Sequence, residues 1–159
     1  MSHRPYLTPA IIAVLGSATV LSAALLSQYI GGLHPCKMCI WQRWPHAIAI
    51  AIGLIGFWRG GRVGAVCFAL AAITLLIGAG IGGFHAGVEQ KWWDGPGTCT
   101  GGGLSGLSTS QAIDKIFAAP VTRCDEIAWS FLGLSMAAWN MVVSIIFGAA
   151  ATITAKRMA

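Results

Sequence analysis

Five cysteines hold most of the chemistry this chain can offer. Cys36 and Cys39 are spaced C-x-x-C directly behind Pro35, Cys99 and Cys124 follow far downstream, and Cys67 sits alone in an apolar run. Two thiols at that spacing can close into a disulfide or exchange with another one, and the attacking species is the thiolate. Proline suits the first position of a helix, so a helix is predicted to begin at Pro35 or Cys36. Its free N–H groups and dipole favour a thiolate in the first turn, at Cys39 above all. Arg43 follows four residues later, on the same face and one turn deeper. A cation there needs a partner, which could be a thiolate, a cofactor oxygen or the headgroups to which it could snorkel. His85, with Glu89 at i+4, could give a proton or a hydrogen bond to a cofactor, or be a capped histidine only. His34 and His46 flank the thiol pair and raise a metal reading. Structural zinc sites usually show two close-spaced pairs, however, and only one is present, so no metal is expected. Cys67 lacks polar company and is expected to be a buried small residue. No phosphate loop, nucleophilic triad or carboxylate dyad is found.

The elements that position these residues must be membrane helices. Of 159 residues, 56% are hydrophobic and only 9% charged, with a mean hydropathy of +0.73. Soluble chains carry roughly 25% charged residues, so lipid must cover much of this surface, and most soluble enzymes and disordered chains are excluded. Uncharged runs at about 9–30, 40–57, 63–84 and 127–153 approach the ~20 residues that a bilayer requires. They predict an all-α membrane protein, a single domain over 1–159, built as a four-transmembrane-helix bundle with frequent glycines at its helix contacts. The first run could be a cleaved leader behind Arg4, but it exceeds the ~7–15 residues of a signal core and three more runs follow, so a span is expected.

Charge placement sets the orientation. The net charge of +5 would suit a nucleic-acid partner in a soluble protein. Here Arg4, Arg59, Arg62, Lys156 and Arg157 lie in segments without acids, while Lys37, Arg43, Lys91, Lys115 and Arg123 share the other side with all five acids. The positive-inside rule then puts both termini in the cytoplasm and the connections at about 31–39 and 85–126 outside. Nucleic acid drops out, and four of five cysteines face the oxidising side, where disulfides persist. In the longer connection, glycines around Cys99 give either a flexible arm able to reach another protein or a plain linker. Ser108 and Gln111 have capping-box spacing, and Ala112, Ile113, Ile116 and Phe117 share a face. A short helix is predicted there, on the membrane surface with Trp92 and Trp93 as anchors or packed on the bundle.

The stretches 35–43 (PCKMCIWQR) and 131–140 (FLGLSMAAWN), with Cys99, Cys124 and the four runs, resemble the bacterial disulfide bond formation protein B (DsbB) family of membrane thiol oxidases. Ala137 departs from the proline usual there. The resemblance implies a protein-dithiol:quinone oxidoreductase of the bacterial inner membrane. In it a Cys99–Cys124 disulfide would oxidise a periplasmic thioredoxin-like partner of the DsbA type, with Cys99 forming the mixed disulfide. Cys124 would exchange with Cys36, and the Cys36/Cys39 pair would pass electrons to a membrane quinone, ubiquinone or menaquinone. Cys39 and Arg43 would lie against the quinone, with His85 near the ring. A vitamin K epoxide reductase-like reading is disfavoured because there the C-x-x-C follows the loop cysteines. A non-catalytic scaffold or metal carrier is the remaining alternative.

Overall fold

The computed structural model describes residues 5–97, 106–117 and 122–159. In chain order it contains α1 (Leu7–Tyr29), α2 (Lys37–Arg59), α3 (Gly61–Glu89), α4 (Thr109–Phe117), β1 (Ser130–Phe131), β2 (Leu134–Ser135) and α5 (Met136–Met158). The chain is mostly helical, and three helices, α1, α3 and α5, are long and apolar enough to cross a membrane. The equally long α2 is more polar, with Lys37, Gln42, Arg43, His46 and Arg59 along it.

Small residues decide how the long helices meet. α3 packs against α2 and α5, while α1 packs against α2 and α5 from the other side. The buried face of α3 is dominated by Gly64, Ala65, Ala71, Ala72, Gly78, Ala79 and Gly82. A Cβ at Gly82 would stand 3.0 Å from both the Ala137 carbonyl oxygen and the Met141 nitrogen of α5, so the two backbones come nearly into contact there. At Gly78 it would meet Pro45 of α2 at 2.9 Å. Around these approaches sit larger plugs, notably the fully buried Phe68, edge-on to Phe57 with ring centroids 5.4 Å apart. Cys67 is only half-buried and packs over Gly56.

Two ends differ from the sequence expectation. α3 continues past residue 84 to Glu89, which keeps His85 and Glu89 on one helical face. The last long helix begins at Met136, not near residue 127. A hairpin fills the difference, pairing Ser130 with Ser135 and Phe131 with Leu134. Its turn residues Leu132 (φ 51°) and Gly133 (φ 78°) both have positive φ, the backbone a two-residue hairpin demands. Ser135 then caps α5, its Oγ accepting the Ala138 N–H at 3.2 Å, so the helix starts cleanly with Ala137 in its first turn. Trp139 ties the hairpin down by donating its Nε1–H to the Phe131 carbonyl at 2.9 Å.

The capping box of the short helix is present. Ser108 N–H donates to Gln111 Oε1 at 3.1 Å, and Gln111 N–H donates to Ser108 Oγ at 3.4 Å. Ile113, Ile116 and Phe117 of α4 are exposed. Trp93 stacks on Phe84 and donates its Nε1–H to the Phe84 carbonyl at 2.9 Å, whereas Trp92 is largely exposed.

Candidate active site

The thiol pair is built into the start of α2. Helix α2 opens at Lys37, with Cys36 as its N-cap, and the Cys36 Sγ accepts the Cys39 N–H at 3.2 Å. This is the predicted helix start, displaced by one residue so that a sulfur does the capping. The two sulfurs are 2.7 Å apart. Cys36 is buried and Cys39 partly open. The hydrogen bond with the Cys39 thiol, followed by burial, pushes the Cys36 thiol well above the usual thiol range, so Cys36 holds its proton.

A third sulfur joins them. Cys124 is fully buried and packs in one cluster with Cys36, Met38 and Cys39. His85 binds the cluster from α3. Its Nε2 lies 3.1 Å from the Cys124 carbonyl oxygen and 3.6 Å from the Cys36 Sγ, with Glu89 Oε1 at 3.8 Å. Its Nδ1 is 2.8 Å from Gln42 Nε2, which also donates to the Met38 carbonyl at 3.3 Å. The Gln42 amide therefore donates to Nδ1, and the ring proton sits on Nε2, directed at the Cys124 carbonyl. Beyond Cys124 the chain is pinned by Asp125, which pairs with Lys91 at 2.7 Å and Arg123 at 2.8 Å. Arg123 first, then Lys91, hold the Asp125 carboxyl well below the usual carboxylate range.

Next to this cluster, α1, α2, α5 and the hairpin segment enclose a cavity of about 590 Å³. Apolar side chains such as Leu21, Phe131 and Val143 form much of its wall, and Cys39, Arg43, His46 and Asn140 supply polar groups. Arg43 reaches across to α1, donating to Gln28 Oε1 at 2.5 Å and to the Ala24 carbonyl at 3.3 Å. It forms no ion pair with a carboxylate among the described residues. His85 does not border the cavity. It lies on the sulfur side of α2, beside Cys36 and Cys124.

The expected residues thus divide into three groups. Cys36, Cys39 and Cys124 come together with His85, Cys39 and Arg43 border the cavity, and Cys99 lies outside the described residues. Gln42 and Asn140 were not singled out for a role beforehand, and His46 only, with His34, for a metal reading. A signal for His46 existed, because Cys39, Arg43 and His46 fall at i, i+4 and i+7 on one face of α2. The ligand atoms of Cys36, Cys39 and His85 lie within 4.8 Å of one another, a grouping a soft metal could use. Two thiolates on tetrahedral zinc, with bonds of about 2.3 Å, stand about 3.7 Å apart. The 2.7 Å between these sulfurs is nearer to a redox pair than to a pair of zinc ligands.

Comparison with known proteins points to one family. A family model described as disulfide bond formation protein DsbB matches residues 7–154. Disulfide bond formation protein B of Xanthomonas oryzae pv. oryzae is 36% identical over 138 residues, covering 83% of this chain and 80% of the relative. The protein of the same name from Xylella fastidiosa is 34% identical over 132 residues, covering 77% and 73%. That of Paracidovorax citrulli is 33% identical over 146 residues, covering 86% and 80%. No solved structure matches the chain.

Proposed function

The chain belongs to the disulfide bond formation protein B family, and from that premise we propose that it oxidises a periplasmic dithiol partner of the DsbA type and delivers the electrons to a membrane quinone. The observation that carries this reading is the position of Cys39, which touches the sulfur cluster on one side and the cavity on the other.

The sulfur chemistry balances as a relay of exchanges. A partner thiolate attacks Cys99 of a Cys99–Cys124 disulfide, and the partner's second thiol resolves the mixed disulfide, leaving the partner oxidised and both loop cysteines reduced. Cys124 then attacks Cys36 of the Cys36–Cys39 disulfide and releases Cys39 as a thiolate at the cavity wall. Cys99 attacks Cys124, restores the loop disulfide and leaves the electron pair on Cys36 and Cys39. The contact of Cys124 with Cys36 supports the middle exchange. His85 holds the Cys124 carbonyl and lies beside the Cys36 sulfur, so it positions both.

A quinone, ubiquinone or menaquinone, supplies a two-electron, two-proton acceptor that a glutathione pool does not match for a strongly oxidising partner. The cavity fits such a ring: apolar walls for the ring and tail, and Arg43, without a carboxylate partner among the described residues, as a cationic donor for a ring oxygen. Ala24 and Gln28 fix that guanidinium in place.

In the same reading α2 is a fourth span, its 23 residues reaching about 34 Å at 1.5 Å per residue. The acid-free basic segments put both termini in the cytoplasm of a bacterial inner membrane, with the thiol cluster on the periplasmic side. The test is anaerobic mixing of reduced partner, this protein and ubiquinone or menaquinone, followed by thiol and quinone spectra. Cys36→Ser and Cys39→Ser are each expected to stop quinone reduction, and wild-type rates in either would overturn the reading.

A further inference from the structure

The sulfur relay leaves one buried acid unused. Glu89, in the last turn of α3, has a side chain only 6% exposed, and its Oε1 lies 3.8 Å from His85 Nε2. Ser135, at the start of α5, donates a hydrogen bond to the carboxylate, and Cys39 of α2 lies close enough to feel its charge. Oε2 is buried without a hydrogen-bond partner, and no lysine or arginine pairs with Glu89 among the described residues. The cations of the neighbouring segments, Lys91 and Arg123, are taken up by Asp125. An acid in such a setting is costly to keep and seldom left so, which makes a functional role the default reading.

The thiol pair has a need that this acid can meet. Reduced, Cys36 keeps its proton while its sulfur stands 2.7 Å from that of Cys39. When the two sulfurs bond, an electron pair leaves to the oxidant and the Cys36 proton must pass to a base. His85 is not that base in the tautomer that Gln42 fixes, because Nε2 already carries a proton and Nδ1 is occupied. Glu89 Oε1 and Cys36 Sγ flank the same His85 nitrogen, at 3.8 and 3.6 Å, a separation that a proton crosses directly after a small side-chain shift or through one water. We infer that the Glu89 carboxylate is the proton acceptor of the thiol pair, taking the Cys36 proton as the Cys36–Cys39 disulfide closes and returning it when Cys36 is released as a thiolate. This inference rests on the reading of Cys36 and Cys39 as a redox pair.

The test uses the full-length protein with Cys67, Cys99 and Cys124 replaced by alanine, so that Cys36 and Cys39 are the only thiols. Mixed in reduced form with dithiodipyridine, it releases one chromophore as the more open Cys39 attacks the reagent and a second as Cys36 closes the protein disulfide. In this parent protein the second step is expected to be level from about pH 7 to 8 and to fall toward about pH 5, as Glu89 becomes protonated. Glu89→Gln, which keeps the shape of the side chain, is expected to slow that step about a hundredfold at neutral pH, with the first step unchanged. Its rate should then climb about tenfold per pH unit, as that of an unassisted thiol does. Glu89→Asp is expected to bring back the level profile. A second step in the parent that already climbs steadily across this range, a result that needs no Glu89 variant to fold, would overturn the inference. So would a folded Glu89→Gln protein with the parent's rate and profile. If the reduced pair never closes, the redox reading falls and the inference with it. No quinone takes part, so the outcome is independent of what the cavity binds.

Discussion

His85 and Arg43 occupy different places, although both were candidates for holding a cofactor. Arg43 borders the cavity, while His85 joins the Cys124 carbonyl to the Cys36 sulfur. Arg43→Ala is therefore expected to raise the quinone KM about tenfold, the loss of a charge-assisted hydrogen bond, with thiol exchange unaltered. His85→Ala is expected to slow Cys124–Cys36 exchange in rapid-quench alkylation by a similar factor, with quinone KM unchanged. A raised KM in His85→Ala would place it back beside the ring. Asp125 gives a pH signature. Its carboxyl lies below the ordinary value near 3.9 because Arg123 and Lys91 hold it. A depressed carboxylate contributes its stability in full above the unfolded value and loses it as pH falls toward the folded one. Lys91 and Arg123 are both well exposed, which limits the contribution to about 1 kcal/mol or less. The thermal midpoint of Asp125→Asn should lie slightly below wild type by a constant amount from pH 5 to 8, and the gap should close below about pH 4.

Among the elements, the start of α5 shows what sequence reading captured and what it missed. The apolar run from residue 127 looked continuous with the helix, because hydropathy cannot separate a short hairpin from a helical turn when both are apolar. The Leu132–Gly133 turn and the Ser135 cap were local signals that outweighed it. Ser135 also bonds Glu89, so the cap connects α5 to the His85 face of α3. Ser135→Ala is expected to cost about 1 kcal/mol of stability, read by thermal unfolding in detergent. No change would mean that the hairpin alone sets the helix start. By contrast, the start of α2 was legible to within a residue, since Pro35 before a C-x-x-C is strong punctuation. The capping box of α4 was equally plain in the sequence.

For the whole molecule, composition indicated a helical membrane protein, and charge placement gave an expectation for the side on which its cysteines lie. They could not pair His85 with Cys124, because residues 39 apart in the chain meet only through the packing of α3 on α2. Nor could they find the cavity, which α1, α2 and α5 form jointly around Asn140 and His46. The orientation is open to test by attaching a membrane-impermeant thiol reagent to single cysteines. A cysteine replacing Arg62 should be labelled only from the cytoplasmic side and one replacing Asp94 only from the periplasmic side; the reverse pattern would invert the topology. One feature at the top of α2 carries through to how the protein registers its own turnover. The atom that closes this helix is a sulfur, and its power to accept the Cys39 amide proton changes with each electron pair. Reduced, it is a thiol that keeps its proton beside Cys39, and oxidised it is half of a disulfide. The hydrogen bond that closes the first turn of α2 is therefore made by one of the two sulfurs of the redox pair itself. Helix start and thiol pair are thus one structure, and it stands next to the cavity that Cys39 borders.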